Sequence, residues 1–511
     1  MTKATPNSNF QTDGDAGKLS AGSPMRRRAQ RSPWSWVIAH SLLVGIGSLV
    51  IFQSGCAIGP DYKRPAVASP ANFRSATTLA TTNSLADVAW WDIYKDDTLK
   101  VLIRTALTNN YDVLIAATRI EQARQSAAQA RAQFFPTVNY QGNVSKGKNE
   151  MLGNASPRDG LDASTALMGI NAAWELDLWG RIRRLNESAR AQYLASEEAR
   201  NGVILSLVSS VAQSYFQLLE LDLALDIAKR TTTSFGETYR LFYRKLVGGA
   251  ASLLDTSRAE ASMATAAATI PDIERQIVLK ENQISILLGR APGPIPRSAK
   301  LLDQIMPPAV PAGLPSTLLE RRPDIRQAEQ NLRSANAQIG VTMAEFLPKI
   351  GLTTLAGKIS PDLSSLAMSG GSAGTWSIAA NATGPIFQGG KLIAQYRQAK
   401  AARDEALLAY QQTALNALSD VANALIAREK LEGVRLQQAK SVRAYQEAVS
   451  VSMKRYMAGK ASYLDVLNAQ EQLFPAENAL AQTELNQLLA IVQLYSALGG
   501  GWQQTQPAVQ K

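Results

Sequence analysis

The side chains that carry most enzyme chemistry are nearly missing from this chain. Its 511 residues include one cysteine, Cys56, and one histidine, His40, both near the N-terminus. If residues 1–55 leave as an export signal, 456 residues remain, with Cys56 first and no histidine. That excludes disulfides, Cys/His zinc sites, Ser-His-Asp and Cys-His nucleophile systems, and any histidine general base. Gly389-Gly390-Lys391 has some likeness to a phosphate loop, but the glycine spacing is absent and Leu392 stands where Ser or Thr would hold magnesium. Asp/Glu pairs occur, yet no cleft of them follows from spacing. The sequence therefore calls for no enzyme activity, no metal and no cofactor. What remains is a chemical handle, Cys56, and two aspartates, Asp255 and Asp465, that each follow a glycine turn by six or seven residues.

The handle has a context. Residues 1–30 are polar and aperiodic; Arg26-Arg27-Arg28 and Arg31 then precede a mostly apolar run from Trp34 to Phe52. A basic patch, an apolar stretch and small residues before a break form the layout of a secretory signal. The break, Gln53-Ser54-Gly55-Cys56, resembles a bacterial lipobox, in which the cysteine is acylated (palmitate included) and becomes the new N-terminus. Gln53 departs from that pattern, where an aliphatic residue is usual. The plainer reading is a signal anchor of about twenty apolar residues, long enough to span a bilayer. The residues after Cys56 favour the lipoprotein. Met25 is an alternative start, and Arg27-Arg28 lacks the apolar residue that would follow a twin-arginine pair. Removing residues 1–55 takes six basic and two acidic side chains and lowers the net charge from +11 to +7. That mild excess, without interleaved aromatics and Lys/Arg, gives no reason to expect a nucleic-acid partner.

The elements that must position these residues come in two kinds and appear twice. After a polar tether (56–88), helical periodicity runs to Gln133 and ends at Phe134-Phe135-Pro136. Then Val138, Tyr140, Gly142 and Val144 alternate with Thr137, Asn139, Gln141, Asn143 and Ser145, a period-two strand with one apolar face. A second strand carries Ala166, Met168, Ile170, Ala172, Trp174 and Leu176 on its apolar face. Some 210 residues later the series returns. Ile350, Leu352, Thr354 and Ala356 mark a third strand; Trp376, Ile378, Ala380, Ala382, Gly384 and Ile386 mark a fourth. Asn110-Tyr111-Asp112 reappears as Arg322-Pro323-Asp324, Gly248 as Gly459, Asp255 as Asp465, and Leu288-Gly289 as Leu498-Gly499. The chain reads as an internal duplication: a first repeat (89–289), a linker (290–315) holding seven of the 22 prolines, a second repeat (316–500) and a short tail (501–511).

Between the landmarks the chain is Ala/Gln/Leu-rich. Ile204, Val208, Val211, Tyr215 and Leu218 in the first half, and Leu407, Tyr410, Ala414, Ala417, Val421, Ala424, Arg428 and Leu431 in the second, step by three and four like a coiled-coil seam. Each half is expected to hold two long helices meeting at a glycine turn (Gly248-Gly249 and Gly459), the first running from about Ile182 to Lys229 and so spanning about 70 Å. Pro271 and Pro475 should bend the returning helices or end a turn.

Alternating strands occur in soluble sandwiches as well as in membrane barrels. Export, strands of about ten residues and their small number favour the barrel, because four strands cannot close alone and lipid permits no open edge. Other copies must complete the ring. Two copies would give a filled barrel and three a wider, 12-stranded one.

The motifs that carry a family likeness are specific in combination: Cys56-Ala57-Ile58-Gly59-Pro60-Asp61-Tyr62-Lys63-Arg64-Pro65, Trp174-Glu175-Leu176-Asp177-Leu178-Trp179-Gly180-Arg181, Arg321-Arg322-Pro323-Asp324-Ile325, Pro385-Ile386-Phe387-Gln388-Gly389-Gly390 and Leu498-Gly499-Gly500-Gly501-Trp502. Across essentially all of the mature chain they resemble the TolC-like outer membrane factors, in particular the NodT-type lipoproteins of resistance-nodulation-division efflux pumps. The resemblance implies an α+β membrane protein: a homotrimer with four strands per chain in one 12-stranded β-barrel, continued by an α-helical coiled-coil barrel through the periplasm. It implies outer-membrane lipid, a periplasmic adaptor and an inner-membrane pump as partners, and the exit duct of a tripartite efflux pump as function. Ala57, which follows the handle in place of Asp, resembles lipoproteins sorted to the outer membrane. The same fold would serve as a type I secretion duct, and a non-pore periplasmic scaffold is a rival of another class.

The resemblance also places residues. The tips Tyr243 to Asp255 and Tyr456 to Asp465, with Gly248, Gly459, Ser252 and Ser462, match the adaptor-facing end. An apolar residue and, one turn later, an acidic one form the family's aperture; here they fall on Leu464 and Asn468, so that Asp465, Asp255 or an Asn468 ring are the alternatives for a polar constriction. For Asp255 and Asp465, capping of the returning helices competes with gating. Tyr140, Trp174 and Trp376 suit lipid contact or an interfacial belt; for Trp174, burial against the helical part competes.

Overall fold

The computed structural model describes residues 57–67, 70, 72–73, 85, 89–147, 163–304, 315–361, 363–366 and 372–500. The expected signal (1–55), Cys56, the tail 501–511 and parts of the tether and linker lie outside the described residues.

The first helical stretch is broken where polar caps intervene. Helices α1 (Trp90–Ile93), α2 (Asp97–Asn109) and α3 (Tyr111–Ala132) replace one continuous run. Asp96 accepts from the backbone N–H groups of Thr98 (2.8 Å) and Leu99 (3.2 Å), and Asn110 from those of Asp112 (2.8 Å) and Val113 (3.3 Å). Each side chain satisfies donors that a helix start leaves unpaired, and so starts a new helix. Strands β1 (Thr137–Gly147) and β2 (Ala163–Leu176) follow, then the 67-residue α4 (Arg181–Val247) and the 35-residue α5 (Leu253–Leu287).

The second half repeats these lengths. After α6 (Pro315–Arg321) come α7 (Pro323–Ala344), β3 (Lys349–Ser360), the single turn α8 (Leu363–Leu366), β4 (Ala373–Thr383), the 67-residue α9 (Lys391–Met457) and the 35-residue α10 (Tyr463–Ala497). At 1.5 Å per residue, α4 and α9 are each about 100 Å long. The helix runs past the expected stop near Lys229, through Thr232 and Thr233, whose hydroxyls donate to the carbonyls of Ala228 (2.8 Å) and Lys229 (2.9 Å); beyond them Phe235 and Phe242 are buried against α5 and α10, packing that favours continued helix over local propensity. Pro271 and Pro475 end nothing either: α5 and α10 run through them.

The four strands form one antiparallel sheet in chain order, β1-β2-β3-β4. Registers such as Tyr140↔Ile170, Ile170↔Ala356 and Ala356↔Trp376 put even-numbered residues opposite even-numbered ones throughout. The apolar faces read strand by strand thus become one sheet face. Helices α3, α4, α7 and α9 pack side by side next to the sheet, while farther along α4 the neighbours are α5 and α10. Of the expected seam residues, Ile204, Val208, Val211, Tyr215 and Leu218 on α4 and Tyr410, Ala414, Ala417, Val421 and Ala424 on α9 are buried, while Leu407, Arg428 and Leu431 at the two ends of the α9 seam are half-buried. Alanines along α9 let it approach its neighbours closely.

Matching contacts lock each half. Asn110 donates to the carbonyl of Leu287 (3.0 Å), and Arg322 to that of Ala497 (3.1 Å), so each side chain caps the end of the returning helix of its own half. Arg322 also holds Asp324 (2.7 Å) and Asp420 (3.0 Å). Burial opposes its charge, but the two carboxylates outweigh that and hold its pKa above the usual arginine value.

Candidate functional site

Three regions bring together the residues expected to work: the sheet, the helix tips and the N-terminal segment.

On the sheet, alternation dictates the chemistry. The even face exposes Val138, Tyr140, Met168, Ile170, Trp376 and Ile378, with Tyr140 91% and Trp376 77% exposed. The odd face carries Asn139, Gln141, Asn143, Thr353, Thr375 and Asn381. Tyr140 and Trp376 lie on one cross-strand row, at opposite edges of the sheet. Trp174 sits on the same face at the helix end, half-buried, and its indole N–H donates to the carbonyl of Phe134 (2.9 Å). Among the described residues, neither β1 nor β4 has a strand on its outer edge. An exposed apolar face with two open edges is a surface built to be covered.

At the tips, each long helix reverses through a glycine turn. The residues with left-handed backbone are Gly249 (φ +71°) and Gly459 (φ +69°). This corrects the sequence assignment of the first reversal to Gly248, which has φ −80° and is the C-terminal cap of α4, as Ala458 is of α9. Only glycine takes the left-handed conformation at little cost, so the turn depends on Gly249 and not on its neighbour. Ser252 and Ser462 are the N-caps of α5 and α10, each accepting from the backbone N–H of the aspartate three residues on (3.1 and 3.4 Å). Asp465 accepts in return from the backbone N–H of Ser462 (2.9 Å), a reciprocal capping box, and Asp255 accepts from the Ser252 hydroxyl (2.7 Å). Both aspartates therefore have structural duties as N3 residues of their helices.

Leu464 and Asn468, one turn apart on α10, are both exposed, as are Leu253 and Leu254 on the other tip. Behind them lies an aromatic cluster that the sequence reading missed. The ring of Phe242 is 3.9 Å from that of Tyr463 and 5.5 Å from that of Tyr456. Lys245 donates to the Tyr456 hydroxyl (2.9 Å). Gln470 of α10 donates to Ser234 (3.2 Å) and Thr238 (3.3 Å) of α4. Burial first, then the charges of Glu471 and Asp255, push the Tyr463 phenol up to about 12.

Within the expected N-terminal tether, Ala57–Val67 is strapped down onto the helices. Ile58 donates its N–H to the carbonyl of Trp179 (3.0 Å). Buried Arg184 donates to the carbonyls of Ile58 (3.2 Å) and Gly59 (3.1 Å) and to Asp61 (2.7 Å). Asn336 of α7 holds the Pro60 carbonyl (2.8 Å), and Tyr62 and Arg64 reach Glu329 (3.2 and 3.1 Å). A side chain at Gly340 would meet the Ile58 carbonyl at 2.6 Å, so the strap needs glycine there. The strap thus crosses from α4 to α7, with its Ala57 end against Gly180, where β2 gives way to α4. Its partners lie more than a hundred residues away, so no local signal announces them.

Known proteins share this architecture. The profile of the family described as outer membrane efflux protein matches residues 102–290 and again 314–500. A probable efflux pump outer membrane protein, TtgC of Pseudomonas putida KT2440, is 36% identical over 468 residues, covering 90% of this chain and 96% of that protein. The cation efflux system protein CusC of Escherichia coli O6:H1 is 33% identical over 458 residues, covering 88% and 97%. The solved outer-membrane channel OprN matches with a TM-score of 0.79 at 30% identity, covering 88% of this chain and 100% of that one.

Proposed function

Because the chain belongs to the outer membrane efflux protein family, we propose that it is the exit duct through which a tripartite efflux pump discharges small molecules across the outer membrane. The observation that carries this reading is the sheet: strands of 11 to 14 residues, one face apolar and exposed, the other polar, both edges open. Strands of that length cross hydrocarbon when tilted, and in lipid every edge must find a partner. Three copies of the four-stranded sheet make a closed barrel of 12 strands, wide enough for a polar lumen. The duplicated halves place helices of about 100 Å below it, which continue the wall into the periplasm.

Transport here is passive and needs no catalytic residue; selectivity lies in the width and lining of the passage. Exposed Leu464, Asp465 and Asn468 are the candidates for the aperture at the far tip, and the two tips, with Ser252 and Ser462, for docking a periplasmic adaptor and, through it, an inner-membrane pump. Lipidation at Cys56 fits the strap, because Ala57 is held beside Gly180 at the junction of strands and helices, the level at which the inner leaflet would begin. Toluene, solvents and cations, named for relatives, set the class of cargo to test first.

The test is membrane fractionation followed by electrophoresis with and without heating. An outer-membrane species that runs as a trimer unheated and as a monomer after boiling is expected. A soluble monomer would end the reading.

A further inference from the structure

The apolar face of the sheet carries charge at one end only. Its even positions run from Val138 to Lys146 on β1 and from Ile350 to Lys358 on β3. Among the described strand residues, Lys146 and Lys358 are the only charged ones on this face; the even positions of β2 and β4 hold none. Both lysines stand at the end of the sheet away from the long helices. On the polar face the one lysine, Lys349, stands at the opposite end, where β3 follows α7.

The two lysines are counterparts in the duplication. The pairings Thr137↔Ala173 and Lys349↔Thr383 align the two hairpins, and on that alignment Lys146 and Lys358 hold the same step. Each lies eight residues beyond the first apolar residue of its strand, Val138 or Ile350. Eight steps of about 3.4 Å make about 27 Å of strand. At a tilt of about 40° that is about 21 Å of height, close to the apolar band of about 25 Å on a membrane barrel. The lysines thus mark the outer border of the hydrocarbon, where headgroups begin. Ionisable residues on a lipid-facing surface are rare and tend to be functional.

Their surroundings supply no counter-charge on this face. Exposed Lys358 is flanked by exposed Met168 on β2 and by Gly374 on β4. A Cβ at Gly374 would meet nothing within 4 Å, so the step beside the lysine is open. Lys146 holds the register position opposite Ser164. The turn α8, which packs against β2 and β3 at this end, contributes Leu363, Ser364, Ser365 and Leu366 and no charge. At the helix end the same face has Trp174 and Leu176 and no cation. Lysines that merely reached for water would serve either end; cations at one end alone complement an anionic surface there.

We propose that the outer end of the lipid-facing sheet is a binding site for phosphate groups of an anionic lipid in the outer leaflet, with Lys358 and Lys146 as the phosphate ligands and Met168 beside the acyl chains. The proposal rests on the duct reading, which sets the helices below the sheet and this rim above it. Two lysines per chain give a ring of six around a duct of three chains. Lysine suits the place: its alkyl stem lies along apolar surface while its ammonium, a compact charge with three donors, meets the phosphate.

The test is a titration of the purified full-length trimer, in neutral detergent, with lipid A (an acylated glucosamine disaccharide) bearing two phosphates, one or none, bound lipid being counted by native mass spectrometry. The bisphosphorylated form should bind at least tenfold tighter than the phosphate-free form, with the monophosphorylated form between them. Lys146→Gln with Lys358→Gln should abolish that preference, Lys146→Arg with Lys358→Arg should keep it, and Lys349→Gln should leave it unchanged. Inorganic phosphate at the same concentration should not compete. Equal binding of the three lipids by the unaltered trimer overturns the site, and that comparison needs no variant. A glutamine pair that keeps the preference also overturns it, as does full competition by inorganic phosphate, which would mark a site for free anions. In each of these cases the trimer, and with it the duct, stands. An unaltered chain that forms no outer-membrane trimer overturns both.

Discussion

At the scale of single residues, Arg184 shows how much one buried side chain holds. Four acceptors converge on it, at Ile58, Gly59, Asp61 and Glu187. Arg184→Ala should cost about 1–3 kcal/mol, because two strap carbonyls lose their donor. It should also speed tryptic cleavage after Lys63; an unchanged cleavage rate would show that the strap is held elsewhere. At the tip, the Tyr463 hydroxyl is buried without a protein partner among the described residues. Removing it in Tyr463→Phe should therefore raise stability slightly, by up to about 1 kcal/mol, where removal of a paired hydroxyl would lower it. The same phenol holds its proton to about 12 in the folded chain and to near 10 when exposed. The folded state then binds more protons between those values, so its stability falls as pH rises from 10 to 12 and is flat below. The absorbance difference between wild type and Tyr463→Phe near 295 nm should have its midpoint near 12; a midpoint near 10 would contradict burial. Leu464→Ala, at an exposed tip position, should widen a closed aperture and raise single-channel conductance.

Among the elements, strand faces were legible and partners were not. Period two assigned Ile170 and Trp376 to an apolar face without any knowledge of the sheet, because a strand's own alternation fixes which side each residue takes. Which strand pairs with which, and at what offset, depends on contacts across hundreds of residues. For the same reason the hold of Arg184 on Ile58 could not be read from either segment. The reversal at Gly249 failed differently: two adjacent glycines look alike locally, and only the 210-residue spacing kept by Asp255 and Asp465 singles out the second. Helix α4 runs past its expected stop because Phe235 and Phe242, beyond Thr232 and Thr233, are buried against the returning helices, a packing that its own sequence does not announce. The face assignment has a direct test. Ile170→Arg, mid-strand on the apolar face, should cost about 2–4 kcal/mol in membranes and lower the yield of heat-modifiable protein. Asn171→Arg, one residue on and on the polar face, should cost far less. Equal losses would mean that both faces are buried in protein.

For the whole molecule, the scarcity of catalytic side chains and the length of the helices have one explanation: the chain is a wall segment. Among the described residues a single copy leaves its apolar face exposed and its sheet edges open; in the function proposed above, several copies would close both. The strap adds an attachment at the level where sheet meets helices, so an anchored residue 56 would hold the barrel at its foot. The most direct test of this account is electrical. Purified protein added to a planar lipid bilayer should produce discrete, stepwise conductance increases, one step per trimer, that persist without adaptor or pump. Membrane binding without conductance, or conductance with no unitary step, would contradict the claim that this chain encloses a duct.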